Sequence, residues 1–277
     1  MDQNILKKLR EIQIELLDEF VRICDENNFC YNLTAGTLLG AVRHKGFIPW
    51  DDDVDLAMPR SDYEKFIIFY NNIKDSNYYI ITNNCPVNTY YHYCTFTKFC
   101  KKNTVFQEIV RKEEDYCGIF IDIWPYDNAF LLFTRLQTFL IKSGLKLYRM
   151  KTYTSSTYIA RNNPKLKIFL NKILPKWLCV FIYNITKNLY SAFNNCKTKY
   201  ISFFSGTALN YKKNTHKYND MYPLSKVQFE NKYYYAPNNY HKFLETTYGD
   251  YMKLPPVEDQ KIHGKHIVFD TYNENNN

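Results

Sequence analysis

The chain has 277 residues, 45% of them hydrophobic and 18% aromatic, which is enough apolar material for one substantial core or a core with a helical subdomain, and excludes a disordered protein. Its 36 Lys and Arg against 28 Asp and Glu leave a formal charge of +8, suited to anionic partners such as nucleotides or acidic lipids. No nucleic-acid partner is expected, because no binding motif is recognised and the basic residues read as dispersed rather than gathered in one arm.

In chain order, Ile5, Leu9, Ile12, Leu16, Phe20 and Ile23 recur at helical spacing and predict a scaffold helix over residues 4–26. Residues 29–34 read as a short strand and 37–43 as the first turns of a helix. The amides of Gly36 and Thr37 then sit at a helix N-terminus, where phosphate is welcome. Arg43, His44 and Lys45 follow. An arginine here can hold a phosphate oxygen or balance nearby carboxylates, while His44 reads equally as a helix end satisfied by the last carbonyls or as a catalytic group. Next comes a knot of four acids in an apolar frame, Asp51, Asp52, Asp53 and Asp55. If Val54 and Leu56 lie on a strand, the two-residue period turns Asp53 and Asp55 to one face, where they can share a divalent cation. The same rule brings Asp51 to that face and leaves Asp52 solvated or as a helix or turn partner.

Pro59, Ser61 and Glu64 predict a helix start with Ser61 as cap and Glu64 completing a capping box. Strands are expected over 78–82, 91–99 and 116–124, with a turn at 101–103 and a returning strand over 104–110. The 116–124 strand carries Asp122 outward at its C-terminal end. An ionised group alone in that apolar run needs a partner, which is a third metal-bound carboxylate, a turn at Pro125 and Tyr126, or an arginine. Residues 130–142 and 166–183 read as helices with broad apolar faces and basic opposite sides. Their longest apolar run, 177–183, is far short of a bilayer span. They form either an internal hairpin packed on the catalytic domain or a basic interfacial surface for anionic lipid. A hairpin over 226–237 turning near Asn231, a helix over 240–248 closed by Gly249, and an extended stretch to Pro256 complete the outline. Asp250 and His263 are second-rank candidates for substrate contact.

Eight cysteines without a Cys-x-x-Cys pair argue against zinc and for a reducing cytoplasm. The amphipathic N-terminus does not suggest export. The abundant tyrosines, including Tyr90, Tyr91, Tyr93 and Tyr233 to Tyr235, offer material for an aromatic cage, although an AT-rich coding sequence explains them as well.

The block from Ala35 to Met58, with the stretches 118–125 and 248–256, resembles the LicD family of phosphocholine and related phosphotransferases, distant relatives of fukutin and fukutin-related protein. That resemblance implies an α+β nucleotidyltransferase-like mixed sheet flanked by helices, with an inserted helical subdomain. Residues 1–128 would form the catalytic core, 129–201 the insertion and 202–277 a closing segment. It also implies Mg²⁺ or Mn²⁺ on Asp53 and Asp55, with Asp51 and Asp122 as further ligands, and Gly36, Thr37, Arg43, His44 and Lys45 toward the donor. The catalytic carboxylates would be Asp53, Asp55 and Asp122, with Asp122 as the base. The donor would be a CDP conjugate, CDP-choline first, and the acceptor a cell-surface glycan such as lipopolysaccharide, teichoic acid or capsule, or its lipid-linked precursor. The expected setting is the cytoplasm at the inner face of the cell membrane, with peripheral contact to anionic lipid. Nucleotidyl transfer from a triphosphate and an inactive peripheral membrane protein are the alternatives.

Overall fold

A computed structural model describes residues 2–73, 76–82, 95–109, 116–152, 173–204, 210–260 and 262–271. Helix α1 (Gln3–Asn27) starts where the Asp2 carboxylate accepts from the amides of Asn4 and Ile5, and ends where Asn28 takes a left-handed conformation. Its buried stripe is Leu6, Leu9, Gln13, Leu16, Phe20 and Ile23, which keeps Leu9, Leu16, Phe20 and Ile23 of the expected face, while Ile5 is exposed and the polar Gln13 is inside.

The central sheet is mixed. Strands β1 (Asn32–Leu33), β2 (Asp55–Pro59), β6 (Phe120–Ala129), β4 (Thr97–Lys101) and β3 (Tyr78–Ile81) lie side by side in that order. Only β2 and β6 run parallel, while β1 and β4 pair antiparallel to them. Helix α2 (Ala35–His44) links β1 to β2, and α3 (Arg60–Asn71) follows β2. Phe99 of β4 stands opposite Ile121 of β6 and packs edge-on against Phe66 and Tyr70 of α3, which marks the core face of the sheet. Alternation along β6 sends Asp122 and Trp124 to the other face.

Several expected boundaries move. Helix α3 begins at Arg60, directly after Pro59, whose fixed φ already suits the N-cap position; no side chain caps it, so Ser61 has no capping role. Residues 83–94 lie outside the described residues, and the strand expected over 91–99 is described only as β4. The expected returning strand, β5 (Val105–Glu108), pairs not with β4 but with β11 (Gly264–Val268), far along the chain. Strand β6 begins four residues later than the expected 116. Asp122 is therefore near its start, and Pro125 and Tyr126 are mid-strand rather than in a turn.

At its far end β6 pairs with β7 (Tyr200–Ser202), which pairs with β8 (Thr215–Lys217). Between β6 and β7 lie α4 (Leu131–Thr152) and α5 (Lys176–Asn188), an antiparallel pair stacked through Tyr148 and Tyr183. The start of the helix expected over 166–183 falls outside the described residues. No described helix is long and apolar enough to cross a membrane. After the short helix α6 (Tyr218–Met221), β9 (Ser225–Phe229) and β10 (Lys232–Ala236) form the expected hairpin, and α7 (Tyr240–Tyr248) ends at Gly249.

Candidate active site

Three charged residues stand in a row across three strands. Lys98 of β4 lies opposite Asp122 of β6, and Asp122 lies beside Asp55 of β2. Facing neighbours across a sheet share a side, so the register alone brings these groups together. The Lys98 Nζ is 2.9 Å from Asp122 Oδ1 and 3.9 Å from Glu108 Oε2, and it sits 3.2 Å from the centre of the Phe120 ring. Burial opposes its charge, yet Asp122 and Glu108 hold its pKa above the usual lysine value. Asp122 therefore has a salt bridge, to a lysine rather than an arginine.

Asp55 is fixed from two sides. Its amide donates to Thr37 Oγ1 at 2.7 Å, and Trp124 Nε1 donates to its Oδ1 at 2.8 Å, the indole itself being stacked on Phe96. This leaves Asp55 Oδ2 turned toward the first turn of α2. Gly36 in that turn has no room for a side chain: a Cβ there would lie 2.6 Å from Asp51 Oδ2 and 4.0 Å from Asp55 Oδ2. Two carboxylates thus approach the helix start, where the unpaired amides favour negative charge.

The acidic loop is shaped from α1. Arg10 Nη2 donates to the carbonyls of Ile48, Pro49 and Asp51, and Gln13 Nε2 donates to that of Asp52. Asp52 is not solvated. It is fully buried and accepts from the amides of His263 and Gly264 and from His263 Nδ1, tying the start of β11 to the loop. His263 also lies 3.4 Å from Asp53 Oδ2. Its pKa is raised to about 10, chiefly by the bond to Asp52, so the imidazole is charged at neutral pH.

The remaining acids crowd one another. Asp51 is pushed up to about 6, first by burial and then by Asp55. Asp53 is pushed well up by burial and by Asp51, and Asp55 by burial and by Asp53 and Asp122. Such a set of hard oxygen donors, short of positive charge, fits a small divalent cation. Asp51, Asp52 and His263 also lie close enough to ligate one ion. Both Asp52 oxygens already accept from the start of β11 or from His263 just before it.

The other sequence candidates lie elsewhere. Arg43, His44 and Lys45 are at the opposite end of α2, about 10 Å along its axis from Gly36. Arg43 donates to the Tyr251 carbonyl and to His44 Nε2, and burial followed by the Arg43 charge lowers the His44 pKa. Lys45 closes α2 in a left-handed conformation and borders a cleft of about 280 Å³ with Lys226, Tyr233, Tyr240 and His241. Tyr248 links the two ends: burial and the charges of Asp55, Asp51 and Asp53 raise its pKa, while Arg43 acts in the opposite sense. Asp250 is exposed and makes no contact with the acidic group among the described residues. Residues 90–93 lie outside the described residues. Lys98, Trp124, Arg10, Gln13 and Tyr248 escaped sequence reasoning. Lys98 shares its short strand with Thr97 and Lys101, so nothing in the local sequence set it apart.

Comparison with known proteins agrees with this geometry. Residues 28–160, which hold the acidic loop, β2 and all of β6, match the family model described as LicD/FKTN/FKRP, nucleotidyltransferase domain. The chain is 28% identical over 267 residues to the lipopolysaccharide cholinephosphotransferase LicD of Haemophilus influenzae, covering 95% of this chain and 97% of that protein. An uncharacterized protein of Rickettsia typhi is 32% identical over 114 residues, covering 41% of this chain and 33% of its own length. The row of β-strand charges, the glycine opening of α2 and a match along nearly the whole chain converge: this protein is similar to the LicD family, over residues 28–160 to the family model and over 95% of its length to one LicD protein.

Proposed function

We propose that this transferase of phosphate-containing groups moves phosphocholine from CDP-choline onto a hydroxyl of a cell-surface glycan, lipopolysaccharide or its lipid-linked precursor, and releases CMP. The observation that supports this reading is the acid row of β2 and β6 against the amide end of α2, in a chain similar end to end to a cholinephosphotransferase. Asp53 and Asp55, with Asp51 and Asp122, would hold Mg²⁺ or Mn²⁺, whose chemistry is to neutralise the donor diphosphate and ease departure of CMP. The amides of Gly36 and Thr37 receive a phosphate oxygen. Asp122, held in place by Lys98, accepts the proton of the acceptor hydroxyl as its oxygen bonds to the choline-bearing phosphorus. The bond from that phosphorus to the CMP oxygen breaks, and CMP leaves with the electron pair. Trp124 and Thr37 keep Asp55 in one orientation throughout. A lipid-linked acceptor would bring the reaction to the inner face of the cell membrane.

The test is to incubate the protein with CDP-choline, CDP-ethanolamine or CDP-glycerol and Mg²⁺, with and without glycan, and follow CMP by ³¹P NMR. CMP appearing with CDP-choline supports the reading. Pyrophosphate release from a nucleoside triphosphate, with every CDP donor inert, would establish nucleotidyl transfer instead.

A further inference from the structure

The basic excess is not dispersed along the chain. None of the 28 Asp and Glu lies between residues 128 and 219, whereas 16 of the 36 Lys and Arg do, so this stretch carries a formal charge of +16 and the rest of the chain −8. The α4–α5 hairpin lies within it.

Each of its helices buries one stripe and leaves another in solvent. On α4 the inner stripe includes Gln137, Ile141, Leu145 and Tyr148, and on α5 it includes Cys179, Tyr183 and Thr186. The outer stripe of α4 is Leu132, Leu136 and Phe139, interleaved with exposed Arg135, Lys142 and Lys146. The outer stripe of α5 is Trp177, Phe181 and Ile185, beside Lys176. Leu132 is 84% exposed, Trp177 69% and Phe139 64%. Isolated apolar residues on a surface need no explanation, but two helical stripes of them do.

Charge decides what covers these stripes. A second copy seated face to face through the same hairpin would bring its own acid-free surface against this one, and like charge opposes that contact. An anionic bilayer matches both features: large apolar and aromatic groups enter the headgroup boundary while lysine and arginine stems reach lipid phosphates. We propose that the α4–α5 hairpin is the docking surface of this protein for an anionic lipid bilayer. The proposal concerns a surface apart from the acid row and holds whatever group the enzyme transfers.

The experiment is co-sedimentation of the full chain with vesicles of phosphatidylethanolamine and phosphatidylglycerol, against vesicles of phosphatidylcholine alone. The expected result is binding to the anionic vesicles only, weakened by salt, and about tenfold or more weaker in the fourfold variant Leu136→Glu, Phe139→Glu, Trp177→Glu, Phe181→Glu. A second variant, Arg135→Gln, Lys142→Gln, Lys146→Gln, Lys176→Gln, leaves the apolar groups in place and is expected to lose binding in the same direction. Circular dichroism checks that both variants fold. Wild-type protein that stays in the supernatant, equal binding to both vesicle types, or folded variants that bind like wild type would each overturn the proposal. So would a dimer that both variants dissolve while vesicle binding persists.

Discussion

The sheet and the hairpin solve opposite electrostatic problems. Around β2 and β6, acids are forced together inside the protein, and the surrounding structure spends donors from Arg10, Gln13, Trp124, Lys98 and β11 on holding them still. In α4 and α5 no acid exists, Arg135, Lys142, Lys146 and Lys176 are exposed to solvent, and the shared core is a thin seam around Leu145, Tyr148 and Tyr183. The first arrangement stores repulsion that a bound cation would relieve. The second keeps like charges apart in water, where they cost little until a surface arrives.

The largest expected effect breaks the row of charges. Lys98→Met would leave Asp122 buried without its lysine and cost about 3–5 kcal/mol of stability, read as a drop in urea midpoint. Adding Asp122→Asn should recover much of that loss while activity stays low. Asp55→Asn sharpens the contrast from the other side. CMP release should fall roughly a hundredfold or more, yet the metal-free protein should melt higher, because one of the crowded charges is gone. Unchanged turnover in this variant would remove Asp55 from the catalytic assignment.

A smaller effect concerns β8, which extends the sheet beyond β7. His216 is 4% exposed and stacked on Phe243, and burial lowers its pKa to about 3. The unfolded chain takes up the proton near pH 6.5 and the folded one does not, so stability is full above that value and falls as the pH drops toward 3. The expected loss between pH 7.5 and pH 5 is about 2 kcal/mol. His216→Gln should flatten the pH dependence of the melting temperature in this range. The smallest effect belongs to the hairpin surface: Phe139→Glu or Trp177→Glu should shift stability by only about 0.5 kcal/mol, since neither side chain packs against the core.

What the sequence made legible was whatever depended on neighbours along the chain. Helix α1, the Asn231 turn between β9 and β10, the Gly249 stop after α7 and the small-residue opening of α2 all follow from local spacing. The convergence of acids near β2 has another cause than the period of two expected for a strand: β2 begins only at Asp55, and Asp51, Asp52 and Asp53 lie in a loop held by Arg10 and Gln13. Pairings over long distances were not readable. Asp52 finds its partner at His263, and β5 finds β11, across more than 150 residues, and no local pattern announces either. Asp122 was noticed as an acid in an apolar strand, but its partner Lys98 emerged only from the register of β4 on β6. The polar residue in the buried stripe of α1 has a similar cause: Gln13 is inside where it donates to the acidic loop, which hydrophobic periodicity treats as noise.

Strand β6 joins the two regions without a break, with Asp122 near its first residue and the hairpin starting just past its last. Eight residues of extended chain span about 26 Å. With α4 resting on lipid, that rigid strut would act as a ruler, setting the height above the bilayer at which a sugar meets the acids. Sugars tucked close to the lipid anchor would be out of reach, and position along the glycan, as much as its chemistry, would select the hydroxyl that is substituted.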